Sequence, residues 1–178
     1  MNIVHKWNWS ELSVVDINQR KRVKSGSRFE KLIEIACERY RKDGLAVVYK
    51  NSEPLKPTGK FGKGGMISAY YQKKSVPDFT GVLKGGKAIM FEAKHVSGKP
   101  SMPFSRLQEH QEQYLIDFGN MGAKSFVLIG FDMTDFYMIP IDDYLNFKEN
   151  NGKKSLNKSE IEMYRVHNTE KGLNFLEM

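Results

Sequence analysis

Cysteine is almost absent from this chain. Cys37 stands alone among 178 residues, which excludes an internal disulfide and any cysteine-built zinc cluster. No apolar run approaches the roughly 18 residues that a membrane-spanning helix needs. The start, Met1-Asn2-Ile3-Val4-His5-Lys6, lacks the apolar core of a signal peptide. There is no internal repeat. The expectation is a cytoplasmic protein, and with 40% hydrophobic residues the length suits one domain with a real core. Acidic charge is also scarce: 21 Asp and Glu face 28 Lys and Arg, a net charge of +7. The cations cluster, at Arg20-Lys21-Arg22 with Lys24, at Lys56, Lys60 and Lys63, at Lys73-Lys74, and at Lys153-Lys154 with Lys158. Basic arms and loops of this kind favour a polyanion partner through steering and counterion release. No stretch is amphipathic enough to favour a membrane surface instead.

Residues 1–25 carry no sustained period and read as a basic arm, although Trp7 and Trp9 are large to leave exposed. Phe29, Leu32, Ile33, Ala36, Cys37 and Tyr40 then fall at the spacing of one buried helix face. Ser27 and Glu30 make a capping-box pattern at its start, and Gly44 suits its stop. Cys37, on that apolar stripe, is expected in the core. Leu45 to Tyr49 reads as a buried strand, Asn51 to Gly65 as a loop rich in Pro, Gly and Lys, and Met66 to Tyr71 as a strand. A second helix is expected over Ser105 to Phe118, with Ser105 and Gln108 as its capping box and Leu107, Gln111, Tyr114, Leu115 and Phe118 on its inner side. Strands follow over Lys124 to Gly130 and Phe136 to Ile141, then a short helix over Asp142 to Phe147. Residues 148–160 read as polar loop, and the last eighteen give no clear pattern. Asp132, Asp135, Asp142 and Asp143 read as solvated turns and caps. The order describes an α/β fold, a mixed sheet flanked by helices.

Chemistry concentrates between those helices. Asp78 to Leu83 and Ala88 to His95 read as two strands joined across Lys84-Gly85-Gly86-Lys87. Alternation along a strand places Glu92 and Lys94 on one face, with Phe91 and Ala93 on the other. Two carboxylates and an ammonium gathered there suit a hard cation such as Mg²⁺, which takes oxygen ligands and keeps waters and substrate phosphates. This is the chemistry of a metal-dependent phosphodiesterase. Parity is decisive. A two-residue Gly85-Gly86 loop would set Asp78 opposite Ala93, on the wrong face, so the site requires a three-residue loop or a bulge.

Pro77-Asp78 followed by Glu92-Ala93-Lys94 resembles the signature of the PD-(D/E)xK nuclease superfamily. A narrower match lies in Asp78-Phe79-x-Gly81, Phe91-Glu92-Ala93-Lys94, Phe104, His110-Gln111, Gly26-x-x-Phe29-Glu30 and Asn151-Gly152-x-Lys154-Ser155. Together these resemble RecU, the Holliday-junction resolvase family of Gram-positive bacteria and their phages. The resemblance implies a PD-(D/E)xK core over 26–178, with a stalk-like insertion over 54–72 that reaches into the centre of a four-way junction. It implies Asp78 and Glu92 as ligands of Mg²⁺, with Mn²⁺ able to substitute, and Gln111 as the helical glutamine near the metal. Lys94 would orient or deprotonate the attacking water, and Glu30 would bind a second metal or its waters. It further implies a homodimer acting on branched DNA, alongside recombinase or branch-migration proteins. The family carries a hydroxyl residue two positions before the aspartate, where this chain has Val76.

Each residue also has a plainer explanation. Glu30 is the capping partner of Ser27, and His110 caps or lines its helix. Gln111 and Lys94 are harder to explain so, because a buried amide or ammonium needs partners. Arg28 and Arg106, each near a helix start, oppose the helix dipole and favour phosphate contact. With Lys56, Lys60, Lys63, Lys73 and Lys74 they form the expected nucleic-acid surface. Two rivals stand beside the junction nuclease: an endonuclease of ordinary duplex DNA, and a junction-binding accessory protein without catalysis.

Overall fold

The computed structural model describes residues 25–52, 55–61, 67–71, 76–150, 152–170 and 172–176. Helix α1 spans Ser25–Lys42 and strand β1 Ala46–Lys50. Strands β2 (Leu55–Phe61) and β3 (Ile67–Tyr71) form a ribbon, followed by β4 (Phe79–Leu83) and β5 (Ala88–Val96). Next come the short β6 (Ser101–Pro103), a single 3₁₀ turn over Phe104–Arg106, α2 (Glu109–Asn120), β7 (Lys124–Phe131), β8 (Asp135–Pro140) and α3 (Ile141–Asn150). Short strands β9 (Ser155–Asn157), β10 (Arg165–Val166), β11 (Asn168–Thr169) and β12 (Gly172–Leu173) complete the described chain.

Six strands form the central sheet in the order β1-β4-β5-β7-β8-β10. Its centre pair, β5 and β7, is parallel, and the others are antiparallel. A parallel neighbour needs a crossover, which the segment from β6 through α2 supplies. This is the expected α/β architecture, a mixed sheet with helices on both faces.

The alternation of β5 separates two cores. On one face Phe79, Phe91 and Phe126 stack across three strands, with ring centroids 4.8 and 4.7 Å apart. Against them lie Phe29, Ile33, Ala36, Cys37 and Tyr40 of α1, the stripe expected from their spacing. Burial, then the charge of Glu34, pushes the Cys37 thiol up to about 12, so it serves as a small core residue. The chain end closes this core: Phe175 packs edge-on against Tyr40 and Phe91 at 5.3 Å, and the Tyr40 hydroxyl accepts from Leu176 N at 3.2 Å. On the opposite face Met90, Val127, Ile129 and Ile139 pack with Leu115 of α2 and Tyr144 of α3.

Several expectations need correction. Helix α1 begins at Ser25, so Ser27 lies inside it, and the Glu30 carboxylate accepts from Lys50 Nζ at 2.6 Å. Helix α2 begins later than the Ser105 pattern implied, because Gln108 and Gln111 form the capping box. Tyr114 and Phe118 consequently face outward, each 37% exposed. The segment read as a loop after Asn51 contains β2, paired antiparallel with β3 from Leu55↔Tyr71 to Phe61↔Ile67. Asp135 is no solvated turn: it pairs with Lys158 and with Arg165, which hold its carboxyl down at about 2. Among the described residues no helix is long and apolar enough to cross a membrane.

The glycine of the Asp78-Phe79-x-Gly81 motif has a steric cause. A Cβ at Gly81 would stand 2.1 Å from the Val47 carbonyl oxygen and 2.7 Å from the Val48 Cα of the neighbouring strand. Backbone cannot yield as a flexible side chain can. Gly81→Ala should lower the unfolding free energy by at least about 1–3 kcal/mol, the usual cost of overpacking, as read by urea denaturation. The exposed control Gly98→Ala has open space but a φ of +66°, so its smaller loss should reflect backbone strain alone.

Candidate active site

The turn between β4 and β5 sets the parity. Phe79 pairs with Phe91 and Val82 with Ala88, and Leu83 N donates to Lys87 O at 2.8 Å. Lys84, Gly85 and Gly86 therefore form a three-residue loop, and both glycines take φ of +91°, which suits glycine at no steric cost. Continued one step past Phe79, the register brings Asp78 opposite Glu92. This is the odd loop that the chemistry required.

β4 ends its ladder with β5 at that point, and side chains replace it. Asp78 N donates to Glu92 Oε2 at 3.0 Å, and Ala93 N donates to Asp78 Oδ2 at 3.0 Å. The two acids thus exchange backbone-to-carboxylate bonds across the opening fork of the sheet. Asn51, marked by no local pattern, clamps the fork from the end of β1. Its N–H donates to Asp78 O at 2.7 Å, its Nδ2 to Pro77 O at 2.6 Å, and its Oδ1 accepts from Thr80 Oγ1 at 2.8 Å.

Lys94 and Gln111 complete the cluster. Lys94 Nζ donates to Glu92 Oε1 at 2.7 Å, and Gln111 Nε2 donates to the same oxygen at 2.6 Å. Gln111 Oε1 meanwhile accepts from Gln108 N and from Lys94 Nζ, both at 3.2 Å. An amide oxygen has two lone pairs, and both are engaged. In this arrangement Gln111 positions Glu92 and Lys94, its oxygen lying between Gln108 N and Lys94 Nζ. The capping box that starts α2 and the site on β5 share this one side chain.

The remaining expected residues lie further out. Glu30 is engaged by Lys50 but still adds negative charge felt by Asp78. Arg28 is exposed on α1. Arg106 sits in the 3₁₀ turn ahead of α2, with Nη1 donating to His95 O at 2.6 Å. His95 itself turns to the other face, 6.0 Å from the Phe29 ring. His110 lies half-buried in the first turn of α2. Val76, 37% exposed, presents no hydroxyl beside Asp78. Lys56 and Lys60 fall on β2, and Lys63, Lys73 and Lys74 lie outside the described residues, as do the 1–24 part of the arm and the ends of the 54–72 insertion.

Electrostatics marks the acid pair. Glu92 is 1% exposed. Burial, then the neighbouring Asp78 charge, raises its carboxyl from 4.5 to about 7. Burial likewise raises Asp78. No cluster of three or more His, Cys, Asp or Glu is present among the described residues. Two facing acids, each made reluctant to ionise, nevertheless fit a hard divalent cation that takes its other ligands from water and phosphate. Without such an ion, the raised Glu92 carboxyl contributes stability that is present below its ordinary value of 4.5 and lost as pH rises through about 7. In chelator, thermal stability should therefore fall between 4.5 and about 7 on the pH scale, and Glu92→Gln should flatten that slope. An equal slope in both proteins would contradict the assignment.

The family model for RecU, described as Recombination protein U, matches residues 24–178. A "Holliday junction resolvase RecU" of Geobacillus sp. is 31% identical over 147 residues, covering 78% of this chain and 73% of that protein. Its namesake in Leuconostoc mesenteroides is 32% identical over 146 residues, covering 78% and 70%. The solved structure of Archaeoglobus fulgidus Hjc, a Holliday junction resolvase from an archaeal hyperthermophile, superposes with a TM-score of 0.49 at 16% identity, covering 78% of this chain and 93% of that one. With a family model matched from residue 24 to the final residue, this chain belongs to the RecU family.

Proposed function

We propose that this protein is a divalent-metal-dependent endonuclease that resolves Holliday junctions during recombination by hydrolysing DNA phosphodiester bonds. The observation that carries the reading is the Asp78–Glu92 pair, facing across the fork with Lys94 bonded to Glu92, in a chain whose relatives bear the resolvase name. Asp78 and Glu92 would hold Mg²⁺, with Mn²⁺ as a substitute. When bound, such an ion supplies Lewis acidity toward a water and the phosphate oxygens.

The chain's own residues do the rest. Gln111 holds Glu92 from the α2 side, so that its second oxygen stays toward Asp78. Lys94 places its amino group between Glu92 and Gln111, where as an ammonium it orients the attacking water or offsets charge on the phosphorane, or, once it has released a proton, takes one from the water as the neutral amine. Among the described residues no serine, threonine or cysteine takes part in the cluster, and hydrolysis is direct. Glu30 acts at a distance, on a second ion or its waters.

Residues 26–178 form the nuclease domain, 1–25 a basic arm, and 54–72 a stalk. The β2–β3 pairing supports the stalk reading: a two-stranded ribbon separate from the central sheet can enter the open centre of a junction. Lys56, Lys60, Lys63, Lys73, Lys74, Arg28 and Arg106 meet DNA phosphates. A homodimer places two such sites on strands of matching polarity in a two-fold junction. Its work is done in the cytoplasm, with recombinase or branch-migration proteins as partners.

Asp78→Ala and Glu92→Ala should each abolish cleavage of a labelled four-way junction in Mg²⁺, while gel-shift binding persists. Lys94→Ala should lose about 10²–10⁴-fold in single-turnover rate. Wild-type cutting by either carboxylate variant would end the metal-site assignment. Deleting 54–70 should impair junctions far more than linear duplex, and equal losses would favour a duplex nuclease.

A further inference from the structure

Beyond Lys94, β5 runs out of the acid cluster into a cavity of about 540 Å³ lined by Lys99, Arg106 and Lys154 and by Ser97, Ser101 and Ser155. Its construction follows from the short β6–β9 ribbon. Met102 opposite Leu156 buries one side of that ribbon. Alternation then turns Ser101 and Ser155 to the other. Lys154 enters just before β9, where its carbonyl accepts from Phe104 N at 3.1 Å. Val96, also lining the cavity, shares a strand face with Glu92 and Lys94. It lies two residues, or about 7 Å, beyond Lys94.

Charge matching sets this cavity apart. Around it the basic side chains are neutralised: Lys148 by Glu112, Lys153 by Glu160, Lys158 by Asp135 and Arg165 by Asp135 and Glu162. Lys99 and Lys154 have no ion pair among the described residues, and no carboxylate lines the cavity. Arg106 is steadied through one N–H on the His95 carbonyl, leaving four of its five donors for another acceptor. Three cations and three hydroxyls line the cavity without an acid, the Ser97 hydroxyl also lying 3.3 Å from His95 Nδ1, and such a lining is a receptor for a tetrahedral oxyanion.

Resting on the nuclease reading, we infer that this cavity is a phosphate-binding pocket. It grips a backbone phosphate of the cleaved strand one or two nucleotides from the scissile bond and so registers that bond on Asp78 and Glu92. Neutralised phosphates test it. Four-way junctions carrying a single methylphosphonate at successive positions around the cut are titrated with wild type and with Lys99→Ala/Lys154→Ala. Binding is measured without divalent metal and cleavage with Mg²⁺. Both lysines are exposed and unpaired, so the variant should melt as wild type does.

The expected result is one position, within two nucleotides of the cut, where the methylphosphonate weakens wild-type binding several-fold but leaves the variant unchanged. The variant's salt slope should also be shallower by about 1. Losses that add at every position would overturn the pocket while leaving the nuclease intact. A wild-type protein that fails to cut the unmodified junction would overturn both the nuclease reading and the pocket that rests on it.

Discussion

Two carboxylates held face to face at the fork between β4 and β5 are the constraint around which this molecule is arranged. Asp78 and Glu92 each accept a backbone N–H from the other's strand, in surroundings that disfavour a second negative charge. Like charges in a buried site repel strongly, so everything nearby serves to keep them there. The three-residue turn sets the register, the stacked Phe79, Phe91 and Phe126 rings fix the strands from beneath, and Asn51 ties the fork to β1. A structure that needed only stability would not concentrate acid so.

The sheet divides the labour between its faces. Toward α1 it is apolar and aromatic, closed by Phe175 from the chain end. Toward α2 the same strand, β5, presents Met90 to a core, then Glu92 and Lys94 to chemistry, then Val96 to the cationic cavity. On the proposed reading, one strand carries packing, cleavage and phosphate register in sequence. Gln111 links them to α2, because its amide both caps the helix and holds Glu92. A shift of α2 would be felt at once in the geometry of the acids.

Much of this was legible in the residues, and the failures have physical causes. The stripe from Phe29 to Tyr40 and the strands through Val48, Phe91 and Phe126 announce themselves, because burial on one face imposes a period. Asp78, Glu92 and Lys94 were singled out by chemistry and motif, and the requirement that they share a face gave the turn length that Gly85-Gly86 alone would have misassigned. The start of α2 was misplaced because Ser105-x-x-Gln108 offers the commoner capping pattern, whereas a glutamine at the cap is unusual. Strand β2, the partner of the expected β3, was hidden by Pro54, Pro57 and the glycines around it, since strand pairing depends on a partner more than on intrinsic preference. Asn51 could not be found at all. Its bonds reach Pro77 and Thr80 through tertiary contact, which no local pattern encodes.

The central claim is that these two acids serve a metal-dependent nuclease with a preference for branched DNA. The most direct measurement incubates the full chain with end-labelled four-way junction, replication fork and linear duplex of shared sequence, with Mg²⁺ and with chelator. The account predicts paired, symmetric nicks in opposing strands of the junction, only with Mg²⁺, and little cutting of the duplex. Cleavage that persists in chelator, or duplex cut as fast as junction, would contradict it.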